Sequence, residues 1–446
     1  MNAALETLRR DFGGDVIEPG AAEYASAGRT ALVQGSPACV LRPRSVGDVR
    51  AGVRFAAEAG LVLSVRGGGH GFPGFGTNDG GVVIDLSGLA TVEVVDKERH
   101  IVRIGGGATW GQVAAALAPH GLAISSGDTR SVGVGGLTLG GGIGWKVRKH
   151  GLALDSLVAA EVVTAGGEVV RAGVEDNAEL FWALRGGGGN FGIVTAFEFA
   201  AHPTTDVFFG KIAFPAQEAA AVLQGWADLL RAAPEDLTSI ANLANPLAGG
   251  PLAPIEVQVA FDGDDPHLAA RAIDPIRRLG TVIADDVALR PYADTLVDGL
   301  VAPPGIRLFT RSGFVGRESV PEALRILAAA GAAEGAPFIS VRSLGGAVAR
   351  VPGDATAYAH RRAELMIGTT VAGPAPVVEA ALPGLEAIWG RLAPHVSGAY
   401  VNFLASAGEE DVAAVYPPRT YERLAAVKRQ WDPGNLFARN HNVRPR

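Results

Sequence analysis

Four glycine-rich clusters, at 67–71, 105–107, 133–144 and 186–192, all lie in the first half of this chain. Glycine has no Cβ, so it enters backbone conformations that other residues avoid and lets a second backbone or a ligand come close. The clusters sit at the ends of apolar, strand-like runs. One such cluster is an ordinary loop. Four of them at strand ends in one half describe a domain folded tightly around a ligand.

The first cluster carries the most information. The apolar run 61–65 gives way to Arg66-Gly67-Gly68-Gly69-His70-Gly71. Backbone N–H groups that converge in such a turn hold an anion, and a histidine there stands beside the held group. Were that group a flavin diphosphate, His70 would be placed to anchor the cofactor covalently. The bland alternative is a ring that only hydrogen-bonds within the turn.

At 446 residues the chain is too long for one ordinary core, and two domains are expected. A net charge of −7 without any basic run argues against a nucleic-acid partner. The single cysteine, Cys39, excludes an internal disulfide or cysteine metal site and reads as a small buried hydrophobe. No histidine pair has metal-ligand spacing. The first ten residues are charged and carry no long apolar run, unlike a secretory leader. No apolar run reaches the length of a membrane span. A soluble cytoplasmic protein is expected.

Ser45 caps an expected helix that ends at Gly60, with Val46, Val49, Val53 and Ala57 on one face. Strands are expected at 61–65, 81–86, 91–95 and 101–104, then a helix over 109–119. A hairpin of 156–164 with 168–171, a short helix over 177–184 and a strand at 193–199 follow. After His202-Pro203 the texture changes. Amphipathic helices are expected at 215–233, 266–279 and 321–333, with strands at 255–261, 307–314 and 338–344. That is the pattern of an antiparallel sheet with helices on one face, and a boundary is placed near 203. A last helix, 418–431, stops at Asp432-Pro433.

The first cluster does not fit a Rossmann dinucleotide fingerprint. Its spacing is G-G-G-H-G-F-P-G, and no long helix follows. Asp85, at the end of the next strand, reads as readily as a turn cap as a ribose ligand. The longest cluster, from Val132 to Trp145, alternates glycines with apolar residues and suits close approach to a flat ligand.

Together these segments resemble the covalent flavoproteins of the vanillyl-alcohol-oxidase superfamily, with PCMH-type FAD binding. The nearest likeness is the berberine-bridge-enzyme-like, 6-hydroxy-D-nicotine-oxidase-like branch. Val40-Leu41-Arg42-Pro43 with Val46 and Val49 is similar to that family's first strand and helix. Residues 66–70 are similar to the motif of the flavin-linked histidine, and 133–144 and 187–194 match flavin-cradling loops. Tyr421 to Leu424, Lys428, Trp431-Asp432-Pro433, Asn435-Leu436-Phe437 and Asn442-Val443-Arg444-Pro445 resemble its C-terminal signature. Order and spacing over nearly the whole chain carry the resemblance.

The resemblance implies an α+β fold. A two-part FAD domain at 1–203 would be followed by a substrate domain, at 204–399, on a helix-covered antiparallel sheet. Residues 400–446 would return to the FAD domain. FAD would be linked at its 8α-methyl group through His70. Arg66, Gly67, Gly68, Gly69 and Gly71 would cradle it, with Val132, Gly133, Gly135, Gly136, Gly142 and Gly144. Asn190, Gly192, Ile193, Val194, Asn402 and Asn442 would complete the site.

Many relatives attach flavin a second time, through a cysteine where this chain has Thr129. Threonine has no thiolate, so a single link is expected. A histidine that some relatives carry is Leu137 here. Val132 stands at the branch's oxygen gate, where valine resembles the oxidases and leucine the dehydrogenases. Tyr400 and Asn402 would share one face of a strand, with Tyr400 accepting a proton. Ser340 stands where relatives often have a glutamate base, which it cannot replace. Arg342, on the same face, is a candidate anion anchor or oxyanion stabiliser, Arg311 is a candidate site residue where relatives often have lysine, and Trp145 is a candidate pocket wall. The implied activity removes a hydride from a C–H next to O or N of a small alcohol, amine, sugar or natural-product intermediate. O2 would be the acceptor and H2O2 the product. A dehydrogenase with another acceptor and a flavin-binding protein without turnover are the alternatives.

Overall fold

In a computed structural model, which describes residues 2–243, 253–299 and 301–445, the helix that Ser45 caps starts as its sequence demands. The Ser45 side chain accepts from the Asp48 N–H, and the Asp48 carboxylate accepts back from Ser45. The helix Val46–Glu58 then buries Val49, Val53 and Phe55 against Leu41 and Ile84. It links two parallel strands, Cys39–Arg42 and Leu63–Arg66, on either side of Val82–Asp85, and Asp15–Ile17 closes the edge antiparallel. Cys39 is 2% exposed, and burial pushes its thiol up to about 11.

A second sheet is antiparallel, in the order Val92–Asp96, Ile101–Gly105, Ile193–Ala200, Leu157–Val163 and Val169–Gly173. Phe197 and Phe199 from its centre pack with Trp110, Phe181 and Phe191. The tail enters this same core through Tyr416, Leu424 and Val443. There Lys428, fully buried, donates to the carboxylate of Asp432 at 2.6 Å and to the carbonyls of Asn190 and Phe437.

The largest sheet has eight antiparallel strands between Val207–Phe214 and Leu365–Pro374. Helices Ala219–Ala232, Pro266–Arg277, Val320–Gly331 and Ala375–Leu392 cover one face. On the other face Phe209, Ile240 and Tyr292 pack with Trp145 of the first half. Beside them the buried Lys146 pairs with Asp262, and the Arg148 guanidinium donates to the carbonyls of Leu230 and Leu237. The fold is α+β. Among the described residues no helix is long and apolar enough to cross a membrane.

Several elements depart from expectation, three of them instructively. The glycine-rich stretch Val134–Gly140 is a helix. Its composition opposes one, but Val134 and Leu139 are buried in the second sheet's core and hold it. Residues 401–403 form a 3₁₀ turn rather than a strand. Helix Ala375–Leu392, absent from the expected elements, runs through Pro383, where proline removes a backbone donor.

Candidate active site

The first and third glycine clusters meet back to back. A Cβ on Gly68 would strike the backbone of Gly133, so only glycines permit this contact. The turn is held from below. Arg66 is buried and pairs with Asp85 at 2.9 Å, and it also donates to the Arg29 carbonyl. Asp85 accepts from the Ser87 N–H as well, so it caps a turn. Ala31 donates to the Gly69 carbonyl at 3.0 Å, and Gly69 takes a φ of +70° that favours glycine. Arg66 is therefore committed to the scaffold and is not free for a ligand.

Above this base the surface is open. Gly71 and Gly136 are exposed, and a Cβ on either would meet nothing within 4 Å. Val132 and His70 are half-buried. Burial alone lowers the His70 imidazole below its ordinary value, and its ring makes no hydrogen bond among the described residues. Gly67 borders the Gly106 carbonyl. Two buried acceptors without partners, the Ser131 hydroxyl and Asn442 Oδ1, add unmet hydrogen-bonding capacity.

Other expected cofactor residues also pack within the protein. Gly135 faces Phe197, Gly142 meets Ala153 and Leu137, and Gly144 packs on the Ser126 carbonyl. Asn190 is fully buried. Its amide donates to Gly187 and His441, and its oxygen accepts from Val443 at 2.9 Å, so it ties down the tail. Gly192 packs on Val162, and Ile193 and Val194 are core residues of their strand.

Across the opening stands the helix-free face of the large sheet. Arg342 reaches from strand Phe338–Ser343 to Asp128 at 2.7 Å and lies 5.1 Å over the Phe403 ring. Phe403 also packs on Phe72, two residues beyond His70. Burial raises Asp128, but Arg342 and the Thr129 hydroxyl more than offset it, so the carboxylate stays ionised. Ser340 sits half-buried on the same strand.

Tyr400 is placed differently from expectation. It is 2% exposed, and its oxygen accepts from the Gly142 N–H at 2.9 Å and from the Asn402 amide at 3.0 Å. Burial raises the phenol above its ordinary value, although the donors of Gly142, Asn402 and Ile143 pull the other way. Asn402 also donates to the Leu137 carbonyl at 3.1 Å. The pair pins the helix Val134–Gly140, and the aromatic ring at the opening is Phe403, a residue without a local sequence signal.

Arg311 is not brought to the site. It lies exposed over the Trp389 ring, on the helix-covered face, because alternation along Ile306–Val315 turns it away from Ser312 and Phe314. Trp145 is 3% exposed and packs on Phe209, so it joins the two halves.

An open glycine floor, a histidine with free ring nitrogens and a facing sheet suit a flat bound cofactor. Residues 37–173 match the FAD binding domain family, and residues 399–444 match the berberine and berberine like family. (R)-6-hydroxynicotine oxidase of Paenarthrobacter nicotinovorans is 34% identical, covering 92% of this chain and 91% of that protein. The crystal structure of 6-hydroxy-D-nicotine oxidase from Arthrobacter nicotinovorans superposes with a TM-score of 0.86 at 29% identity, over 98% of both chains. Glucooligosaccharide oxidase of Acremonium strictum, which carries a 6-S-cysteinyl, 8α-N1-histidyl FAD, gives a TM-score of 0.86 at 26% identity over 100% and 99%. The chain belongs to the berberine-bridge-enzyme-like branch of the PCMH-type FAD-linked oxidases, and it is an FAD-dependent oxidase.

Proposed function

We propose that the flavin is tethered once, through His70, and that the enzyme removes a hydride from a carbon next to nitrogen or oxygen of a small molecule and passes the electrons to O2 as H2O2. The observation that carries this reading is the His70 ring. Burial keeps it neutral near pH 7, so a ring nitrogen has a lone pair to form a bond. Thr129, half-buried close by, offers no second attachment. When bound, FAD supplies the hydride acceptor. Residues 204–399 provide the substrate side, and Val132, half-buried, stands at the candidate oxygen gate.

The N–H groups of Val132 and Val134 are spent on the carbonyls of Thr129 and Ala108. Those of Gly135 and Gly136, in the first turn of their helix, remain to face negative charge that reduction brings.

The proton balance favours an amine substrate. Asp128, the carboxylate at the opening, is committed to Arg342, and Tyr400 is enclosed. A neutral amine drives hydride departure with its own lone pair and needs no base in that step. The likeness to (R)-6-hydroxynicotine oxidase points the same way. A second reading, an alcohol, draws on the donors gathered at the Tyr400 oxygen, which oppose, without overcoming, the rise that burial gives the phenol.

Denatured, acid-precipitated enzyme should stay yellow, and colour left in solution would overturn the covalent link. A substrate panel with peroxide detection identifies the class. Tyr400→Phe then separates the two readings in anaerobic flavin reduction. The rate should hold for an amine and fall by roughly 10²-fold or more for an alcohol.

A further inference from the structure

Between strands Ala288–Arg290 and Ile306–Val315, the described residues 291–299 and 301–305 run beside the loops that floor the cleft. Val297 donates to the Asp128 carbonyl at 2.9 Å and accepts from the Arg130 N–H at 2.9 Å. The Arg130 guanidinium holds the Leu296 carbonyl at 2.7 and 3.0 Å. Five residues on, Ala302 donates to the Ala31 carbonyl at 2.8 Å and accepts from Arg29. Ala31 is the residue that holds Gly69. The strap is thus fixed on both sides of His70, to the loop of Thr129 and to the loop beneath the histidine turn.

Between these anchors lies Gly299. A Cβ there would come within 2.7 Å of His70 Cε1 and 3.1 Å of Thr129 Cγ2, and it would collide with the Ser131 hydroxyl. Gly299 has no left-handed φ, so the backbone accepts alanine and only these contacts refuse it.

We propose that this strap is the second restraint on His70 and on the cofactor edge bound to it, and that Gly299 is a positioning residue that lets it lie against the imidazole. The proposal rests on the His70 link. Where glucooligosaccharide oxidase adds a cysteinyl bond, this chain pairs the backbone of Thr129 with that of Val297. A ring held in one orientation reacts with less entropy to lose. Attachment joins an imidazole nitrogen to the 8α carbon. One hydrogen leaves the methyl group and one leaves the imidazole, and O2 takes these with the two electrons to give H2O2.

The test compares wild type, Gly299→Ala and Gly299→Val in the full chain, freed of flavin during expression and then given FAD in air. Acid-stable flavin is followed over time, with thermal unfolding of each flavin-free chain alongside. Attachment should slow several-fold in Gly299→Ala and nearly stop in Gly299→Val, with little change in unfolding temperature. Wild-type rates in both would overturn the proposal. Should Gly299→Val not fold, Arg130→Ala loosens the strap without adding bulk. Slower attachment there supports the proposal and an unchanged rate overturns it. A wild-type chain without any acid-stable flavin would instead refute the His70 link, and the strap's role with it.

Discussion

The glycines around His70 and those at 186–192 look alike in sequence and serve opposite ends. Gly71 and Gly136 open onto free space beside a half-buried histidine. Gly186 meets the backbone of Tyr358, Gly187 meets Leu424 and the Ala183 carbonyl, and Gly192 meets Val162. In the first region glycine admits a ligand. In the second it admits other segments of the protein itself, among them the tail tied by Asn190 and Lys428. A glycine cluster therefore reports close approach, and the fold decides what approaches.

Breaking the first region should have the largest effect. In His70→Ala all acid-stable flavin should vanish and FAD should become removable by dialysis, because Thr129 provides no second bond. Acid-stable flavin surviving in that variant would move the attachment elsewhere. The second region should respond in stability instead. Lys428→Met leaves Asp432 and two carbonyls buried without their donor and should cost about 3 kcal/mol in urea unfolding. Flavin per folded molecule should stay at the wild-type level. Flavin loss at unchanged stability would show that the tail junction touches the cofactor after all.

The smallest effect sharpens the contrast most. Gly136→Ala places a methyl group in open space within a helix. The flavin-free chain should gain roughly 0.5–1 kcal/mol, while flavin attachment slows. Attachment at the wild-type rate would mean that this face of the helix does not meet FAD.

Much of the architecture was legible along the chain. The capping pair at Ser45 and Asp48, the strand Ile255–Phe261 and the helix Pro418–Trp431 follow from local pattern, since caps, alternation and a terminal Asp-Pro act within a few residues. The helix Val134–Gly140 was not legible, because long-range burial of Val134 and Leu139 overrides poor propensity. In the site, His70 and the open glycines stood out. Arg66, Asn190, Tyr400 and Arg311 were assigned by motif, and the structure commits them to Asp85, the tail, the Gly142 loop and Trp389 respectively. Phe403 and Gly299 gave no local signal, as each matters only through a partner far away in sequence.

By itself the sequence determined the class of cofactor site, the identity of the single candidate tether and the exclusion of a thiolate at position 129. These are properties of residue type and short spacing, which chemistry fixes before folding. Tertiary structure alone decided which glycines stay open, which charged groups are already paired and what lies against the His70 ring. Those outcomes depend on segments more than a hundred residues apart packing into the same few ångströms.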